Sequence, residues 1–195
     1  MGTGETSAHI APVSPKRADA RRNHDRVLAA ARDAFAEGGE STALEEIARR
    51  AGVGIGTLYR HFPNRQALLE ALYVNEVEEV CRSAAQLDDA DPWQAFDDWF
   101  QRLIGYLATK RALAHELLNY LDKDAPLFKE CRAGLFAAGE PLLKRAQDAG
   151  VVRPDVEFSQ VMHMVVGITK IPADRGQIEH MLRIALDGLR YQPPA

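Results

Sequence analysis

Apolar positions recur every three to four residues through most of the chain, which is the spacing of one buried face of an α-helix. The first such stripe covers about residues 18–37 and ends at two consecutive glycines, Gly38 and Gly39. Shorter stripes follow between residues 42 and 52 and over about residues 55–62. Strand-like alternation of apolar and polar residues is missing, so the pattern predicts an all-α fold.

Capping signals mark several helix starts. A small polar residue followed three positions later by Glu or Gln has the spacing of a capping box. Three pairs show this spacing: Thr42 with Glu45, Asp91 with Gln94, and Asp174 with Gln177. The remaining stripes predict a long helix over about residues 65–85, another from about residue 92, and further helices over about 110–121, 125–148, 156–170 and 175–190. The total is about nine helices.

Composition narrows the class of protein. The chain has 195 residues, of which 46% are hydrophobic, enough to bury a core without metal or disulfides. Two cysteines, Cys81 and Cys131, do not make a disulfide framework. No apolar run approaches the roughly 18 residues of a membrane span, and residues 1–15 read as a small, polar, disordered arm rather than a secretory signal. We therefore expect a cytoplasmic protein without a membrane partner.

Charge is distributed unevenly along the chain. Residues 1–66 carry ten basic and eight acidic side chains, whereas the remainder carries 14 basic and 20 acidic ones. A basic first third hints at a nucleic-acid-binding end, although a solvated helix start explains it equally well. The basic cluster consists of Lys16, Arg17, Arg21, Arg22 and Arg26.

The most informative segment is TALEEIARRAGVGIGTLYRHF, residues 42–62. It places two short helices on either side of a glycine turn, which is the helix-turn-helix pattern. The predicted core of this unit is Ile47, Ala48, Gly52, Val53, Leu58 and Phe62. The residues left to face outward combine glycines, a hydroxyl, an aromatic ring and basic groups, which suits contact with phosphates and base edges in a major groove.

Four linked blocks carry a family resemblance: VLAAARDAF at residues 27–35, IARRAGV at 47–53, GTLYRHF at 56–62 and NRQALL at 64–69. Over about residues 17–73 the chain resembles the tetracycline repressor (TetR) family of bacterial transcription regulators. The resemblance implies a three-helix helix-turn-helix DNA-binding domain over residues 16–64. A long helix would join it to a helical effector-binding and dimerisation domain over residues 65–195.

The resemblance also implies residue roles. Thr42 matches a cap of the second helix that also contacts phosphate, and Tyr59 and His61 match phosphate contacts. Arg65 stands where the family usually has a Lys that heads the fourth helix and binds phosphate. The predicted DNA-binding residues are Thr42, Gly54, Ile55, Gly56, Thr57, Tyr59, Arg60, His61 and Arg65.

Two of these predicted DNA-binding positions, Gly54 and Gly56, are glycines. Gly56, with Thr57, matches positions that approach bases or backbone. Gly54 departs from the family pattern, because a Ser or Thr usually begins the recognition helix there. A hydroxyl cap and any hydroxyl contact to DNA are lost, so operator preference at this position does not transfer.

Simpler structural interpretations stand beside these roles. Tyr59 could be a core aromatic residue and His61 a solvated side chain. Arg49 and Arg50 fit a solvated helix face better than base reading. The N-terminal basic cluster could reach DNA or lie in solvent.

The C-terminal half gives weaker signals. The family pattern implies a homodimer through the last two long helices; the alternative is that their apolar residues only fill a monomer core. The predicted interface is Met162, Val165, Val166, Ile178, Met181, Leu182, Ala185 and Leu189. A ligand pocket is expected among Trp93, Phe96, Trp99, Phe100, Tyr106, His115, Asn119, Tyr120 and Phe128. Leu117, Leu118 and Phe136 are further apolar candidates, and Arg102 and Glu116 are further polar ones. Core packing is the alternative for each of these aromatics.

The leading functional hypothesis is a dimeric repressor that binds a palindromic double-stranded DNA operator and is released by an unknown small-molecule effector. In a second hypothesis the C-terminal domain docks a protein signal. A small helical enzyme is the third, but the sequence has no G-x-S-x-G, no phosphate-cradling glycine loop and no metal cluster. His115-Glu116 lacks the second His of a zinc signature. We therefore expect no enzyme activity, no cofactor and no metal.

Overall fold

The structure, a computed structural model, describes residues 15–190, without the side chains of residues 15–17, 40, 108–112 and 175. Residues 1–14 of the predicted arm lie outside that range, and Pro15 already belongs to the first helix. The helices are α1 (Pro15–Gly38), a 3-10 turn (Gly39–Ser41), α2 (Leu44–Ala51), α3 (Ile55–His61), α4 (Arg65–Ala85), α5 (Pro92–Leu117), α6 (Pro126–Asp148), α7 (Phe158–Thr169) and α8 (Arg175–Asp187). Nine helices and no strand within the described range confirm the all-α prediction.

Helix α5 differs from the prediction. The sequence predicted a separate helix over about residues 110–121, but α5 runs without interruption from Pro92 to Leu117. The residues at 108–111 read Ala-Thr-Lys-Arg and interrupt the apolar stripe, yet they include neither Gly nor Pro. Backbone hydrogen bonding continues through such a segment because Ala, Lys and Arg are good helix formers.

The predicted caps have mixed outcomes. Asp174 and Gln177 form the complete box at the start of α8. Asp91 accepts hydrogen bonds from the backbone N–H groups of Trp93 and Gln94, but the Gln94 amide donates to Asp98 instead of returning to the cap.

The cap predicted at Thr42 is wrong. Ala43 occupies the N-cap position of α2 and supplies no side-chain hydrogen bond. The buried hydroxyl of Thr42 donates instead to the carbonyl of Ala34, 3.0 Å away near the end of α1. Thr42 therefore ties α1 to the start of α2 rather than capping α2.

Helix α4 connects two packed units. It packs against α1, which also contacts α2 and α3. It also lies against α5 and α6, and α7 pairs with α8 and packs against those two helices. Within the described range, no helix is long and apolar enough to cross a membrane.

An aromatic cluster forms the centre of the C-terminal unit. Trp99 is fully buried, and its ring centroid lies 5.2 Å from that of Phe100 and 5.9 Å from that of Phe158. The indole N–H donates to the carbonyl of Val80 on α4 at 3.2 Å. A Cβ at Gly139 would overlap both the Trp99 and Phe158 rings, so glycine lets α6 approach this cluster closely.

Candidate nucleic-acid interface and C-terminal cavity

The turn between α2 and α3 depends on Gly52. Its φ of +64° lies in the left-handed region that favours glycine. Arg26 of α1 donates to the Gly52 carbonyl at 3.1 Å, and its Nη2 lies 2.5 Å from the position a Cβ would take. The turn is therefore fixed both by its own backbone and by a guanidinium from α1.

One side of α3 is anchored in the protein. Leu58 is completely buried, and the structure places Ile47, Ala48 and Phe62 in the same core. Val53 is half-buried and packs against them. These contacts set the angle between α2 and α3.

The opposite side of α3 faces outward. Gly54, Ile55, Gly56, Tyr59 and Arg60 are exposed, with 44% of Tyr59 accessible. The five exposed residues lie together on one short helix and its N-cap, which makes a narrow ridge projecting from the domain.

The remaining two predicted residues of α3, Thr57 and His61, are half-buried. The His61 ring lies 6.0 Å, centroid to centroid, from that of His24 and 6.2 Å from that of Phe62. His61 thus sits at the border between α3 and α1.

The fold does not require glycine at Gly54 or Gly56. At both positions nothing lies within 4 Å of where a Cβ would be built. Gly54 is the N-cap of α3 with extended φ and ψ angles, and no side chain caps this helix. Glycine inside a helix costs roughly 0.5–1 kcal/mol relative to Ala, so Gly56 weakens α3 without relieving any contact within the protein.

Several basic groups near α3 are already paired. Arg49 and Arg50 each bind Glu46 at 2.7 Å, and Arg50 also binds Glu37 at 2.7 Å. The hydrogen bonds from Arg49 and then Arg50 lower the pKa of Glu46 to about 2. These two arginines form a neutralised surface network rather than free cations.

The N-terminal basic cluster is described only in part. Arg21 is exposed and Arg22 pairs with Asp19, while Arg26 holds the turn described above. The side chains of Lys16 and Arg17 lie outside the described residues.

Arg65 occupies the junction between the two units. Its Nε donates to Glu116 of α5 at 2.5 Å, its Nη1 donates to the Thr42 carbonyl, and its guanidinium lies 5.0 Å from the centre of the Phe35 ring. The Arg65 side chain is 22% exposed and that of Glu116 is 7% exposed.

This arrangement contradicts the predicted phosphate contacts of Arg65 and Thr42, because both side chains are directed into the protein. The contact between Arg65 and Glu116 joins residues 51 positions apart, which no local pattern reveals.

A cavity of about 550 Å³ opens among α4, α5, α6 and α7. This volume lies within the range of ligand pockets, roughly 300–1,000 Å³. Its apolar walls are formed by Leu107, Leu118, Phe128, Leu135, Phe136 and Met162. Its basic lining residues are Lys123, Arg132, His163 and Lys170.

The predicted pocket residues lie in five different places. Phe128, together with the further candidates Leu118 and Phe136, lines the cavity. Phe96, Trp99 and Phe100 are wholly buried in the aromatic core, Leu117 is wholly buried too, and none of the four lines the cavity, so the prediction is wrong for this cavity. Their period along α5 identifies a buried face, but it cannot show where packing leaves a gap.

The other predicted pocket residues lie elsewhere. Trp93 is half-buried beneath the Arg190 guanidinium at 4.3 Å, and Tyr106 lines a separate cleft of about 410 Å³. His115, Asn119 and Tyr120 are exposed and do not line the larger cavity. None of these five residues lines the larger cavity, so the prediction is wrong for that cavity.

Sequence reasoning missed the basic lining residues. A signal was present, because Arg132 stands between Phe128 and Phe136 at spacings of four residues. Lys170 likewise follows Met162 and Val166. A cation inside an otherwise apolar helical stripe marks a position where that stripe meets a cavity or solvent.

Tyr73 links the cavity to the neighbouring cleft. It lines the larger cavity, and its hydroxyl interacts electrostatically with that of Tyr106, which lines the cleft. Burial raises the pKa of Tyr73 to about 12 and raises that of Tyr106 as well. Both phenols are therefore neutral hydrogen-bonding groups at ordinary pH.

Four predicted interface residues are buried inside their own chain. Met162, Val165, Leu182 and Leu189 are at most 6% exposed, so their assignment to a dimer interface is wrong. A helix in this position buries one apolar face against the core before it can offer another to a partner.

The outer faces of α7 and α8 carry a different apolar set. Ile178, Met181 and Ala185 of α8 are half-buried, and so is Val166 of α7, which lines the cavity instead. Ile184 is 58% exposed, and Ile171 just beyond α7 is 40% exposed. Sequence reasoning did not select these two isoleucines.

Two family profiles match the chain. The family described as "Bacterial regulatory proteins, tetR family" matches residues 27–72. The family described as "Transcriptional regulator SbtR-like, C-terminal domain" matches residues 91–191. Together they cover both packed units.

Known proteins give the same picture. A TetR transcriptional regulator from Streptomyces coelicolor is 38% identical, with a TM-score of 0.76, over 87% of this chain and 99% of that one. A TetR transcription regulatory protein from Mycobacterium vanbaalenii is 36% identical, with a TM-score of 0.76, over 90% and 99%.

A curated relative, an HTH-type transcriptional regulator of Staphylococcus aureus, is 30% identical over 56% of this chain, which spans 59% of that relative's length. The family that these proteins share consists of transcription regulators rather than enzymes. On both profiles and on these neighbours, the chain belongs to the TetR family and is a DNA-binding transcriptional regulator.

Proposed function

We propose that this protein is a dimeric repressor whose helix α3 binds a palindromic operator and whose C-terminal cavity takes a small-molecule effector that releases the DNA. One observation carries the proposal: α3 buries Leu58 completely while it exposes Gly56, Tyr59 and Arg60 on its other side. A helix held in this way presents a rigid ridge to a major groove.

The exposed groups on α3 divide into two roles. Gly56 has no side chain, so the helix backbone can approach the DNA closely. The Tyr59 hydroxyl and the Arg60 guanidinium are donors suited to phosphate oxygens, which position a protein on the duplex. Because each phosphate contact releases counterions, affinity should fall steeply as salt rises.

A second copy would pair through the outer faces of α7 and α8. The exposed Ile184 and Ile171 supply apolar surface for this contact. A two-fold symmetric dimer places two α3 helices about one DNA turn, roughly 34–36 Å, apart, which matches a palindromic operator.

The dimer has a matched test. Ile184→Glu on α8 should shift the protein from dimer to monomer in analytical ultracentrifugation. Ile55→Glu places the same charge on an exposed isoleucine of α3 and should leave the dimer intact while weakening DNA binding. A dimer that persists in Ile184→Glu contradicts this interface.

The junction supplies a route between the cavity and the DNA. Ala114 and Leu118 line the cavity, and between them Glu116 turns to Arg65 at the start of α4. Arg65 in turn holds the carbonyl of Thr42, next to α2. An effector that displaces this end of α5 changes how the DNA-binding unit is held.

Release requires more than tight effector binding. The effector must prefer the conformer whose two α3 helices no longer fit successive major grooves, since equal affinity for both conformers shifts nothing.

Selection from genomic DNA tests the whole proposal. The purified protein is incubated with fragmented DNA of its own genome, and the retained fragments are sequenced. We expect a palindromic motif to be enriched, and a reporter placed behind that motif to be expressed less when the protein is present. Absence of enrichment contradicts DNA binding by the free protein, and increased reporter expression contradicts the repressor role.

A further inference from the structure

The large C-terminal cavity has an unusual charge pattern. Lys123 lies in the loop after α5, Arg132 on α6, His163 on α7 and Lys170 directly after α7, and all four line it. No Asp or Glu is among its described lining residues. Lys123, Lys170 and Arg132 form no salt bridge with any of the described residues.

Other concave surfaces of the protein are electrically mixed. In the cleft of about 410 Å³, Arg32 binds both Glu76 and Glu79. A groove of about 870 Å³ between α1 and α4 combines Arg21 and Arg82 with acidic groups such as Glu78. Only the C-terminal cavity, of these three, collects cations without acidic partners.

The surrounding sequence makes this collection more informative. Residues 67–195 carry 20 acidic and 14 basic side chains, so a random sample of this region would be rich in carboxylates. Because the cations of this cavity have no acidic partner among its described lining residues, a bound anion can neutralise their charge. The contacts would be charge-assisted hydrogen bonds, which are stronger than neutral ones.

The walls define the rest of the ligand. Phe128, Phe136, Leu135 and Met162 offer apolar contact on α6 and α7, and Tyr73 adds one neutral hydroxyl from α4. A ligand that fills this space therefore needs an apolar body, and its polar end needs a negative charge.

We propose that the effector of this protein is an amphipathic organic anion, a carboxylate on an aliphatic or aromatic body, with its acid group at Arg132, Lys123 and Lys170. The inference rests on the proposed function, since it names the ligand class of the same cavity. It excludes cationic ligands, which the cavity would repel.

Two matched probes test the charge requirement. Octanoate and octan-1-ol have the same chain length and differ in the charge of the end group. Isothermal titration of the full chain should show octanoate binding at least about tenfold more tightly, because a hydrogen bond to a charged group is worth that much or more.

Variants locate the charge. Arg132→Gln should remove about tenfold of octanoate affinity and leave octan-1-ol unchanged. Lys129→Gln is the matched control, because Lys129 is exposed on the same helix but does not line the cavity. Ala114→Phe, which fills the cavity from α5, should abolish binding of both probes while the circular dichroism spectrum is kept.

The outcomes are distinguishable. Equal or tighter binding of octan-1-ol, unchanged octanoate binding in Arg132→Gln, or no binding of either probe at millimolar concentration each overturns the anionic-ligand proposal. DNA binding by the same preparation without probe is measured in parallel. Its loss contradicts the proposed function, whereas its presence with a failed probe test contradicts only the ligand class.

Discussion

The two units of this protein differ in where their proposed functional groups lie: on the surface in the DNA-binding unit, and around an internal cavity in the C-terminal unit. In the DNA-binding unit, Leu58 and its neighbours are buried and the groups proposed to meet DNA are exposed. In the C-terminal unit, aromatic residues pack around Trp99, and the proposed ligand site is a cavity beside that core. Changes on α3 can therefore alter function with little effect on stability, whereas changes in the C-terminal unit affect both.

The largest expected effect is in the aromatic core. Trp99→Ala should lower the free energy of unfolding by about 3–5 kcal/mol, since it empties a fully buried site and removes the indole hydrogen bond to the Val80 carbonyl. Trp93→Ala is the matched control, because Trp93 is only half-buried, and it should cost clearly less. Urea unfolding followed by circular dichroism measures both, and equal losses would contradict the central place given to Trp99.

The junction between the units is the next test. A double-mutant cycle with Arg65→Met and Glu116→Gln should give a coupling energy of about 1–3 kcal/mol, as expected for groups in direct contact within a protected pair. The exposed pair of Arg153 and Asp155 is the control and should couple much more weakly, because water and salt screen exposed ion pairs. Urea unfolding of each set of four proteins gives the energies. Coupling no larger than in the control pair would mean that Arg65 does not tie the units together.

Gly56→Ala separates stability from function. A Cβ meets no atom there, so we expect the free energy of unfolding to rise by about 0.5–1 kcal/mol through better helix propensity. Operator affinity should fall, because the methyl group intrudes between α3 and the DNA. Unfolding and fluorescence anisotropy are measured on the same sample, and unchanged affinity would show that α3 does not approach DNA at this position.

The smallest effect concerns alkaline pH. The pKa of Tyr73 is raised to about 12 by burial, so the neutral phenol stabilises the fold below its ordinary pKa of 10, and that contribution is lost as pH rises from 10 towards 12. Between pH 9 and 10.5 stability should fall by at most about 1 kcal/mol more in the wild type than in Tyr73→Phe. Urea unfolding across this pH range checks it. Parallel curves for the two proteins would contradict a buried Tyr73.

The same contrast explains what the sequence could predict. The helix-turn-helix unit spans about 20 residues, so Gly52, the two short helices and the burial of Leu58 all follow from local spacing. The bounds of α4 are those expected from the break at Pro63 and Asn64. Local signals decide these features because the contacting residues are neighbours in the chain.

Local sequence patterns did not predict the contacts between residues far apart in the chain. The resemblance predicts a phosphate contact for Arg65, and no local pattern reveals that its partner, Glu116, lies on another helix 51 residues away. The cavity joins Tyr73, Leu107, Phe128 and Met162 from four helices, and periodicity does not reveal how four faces meet. The interface residues failed for a related reason, since α7 and α8 each have an inner and an outer apolar face.

Operator affinity of two tyrosine variants tests the central claim most directly. Tyr59 on α3 and Tyr120 after α5 are 44% and 45% exposed, so their truncation costs similar surface and little stability. In fluorescence anisotropy with the selected operator, Tyr59→Ala should bind at least about tenfold more weakly, as a lost charge-assisted phosphate contact implies, and Tyr120→Ala should match the wild type. Equal affinity of the Tyr59 variant and the wild type, with both folded, would contradict the assignment of α3 as the DNA-binding helix.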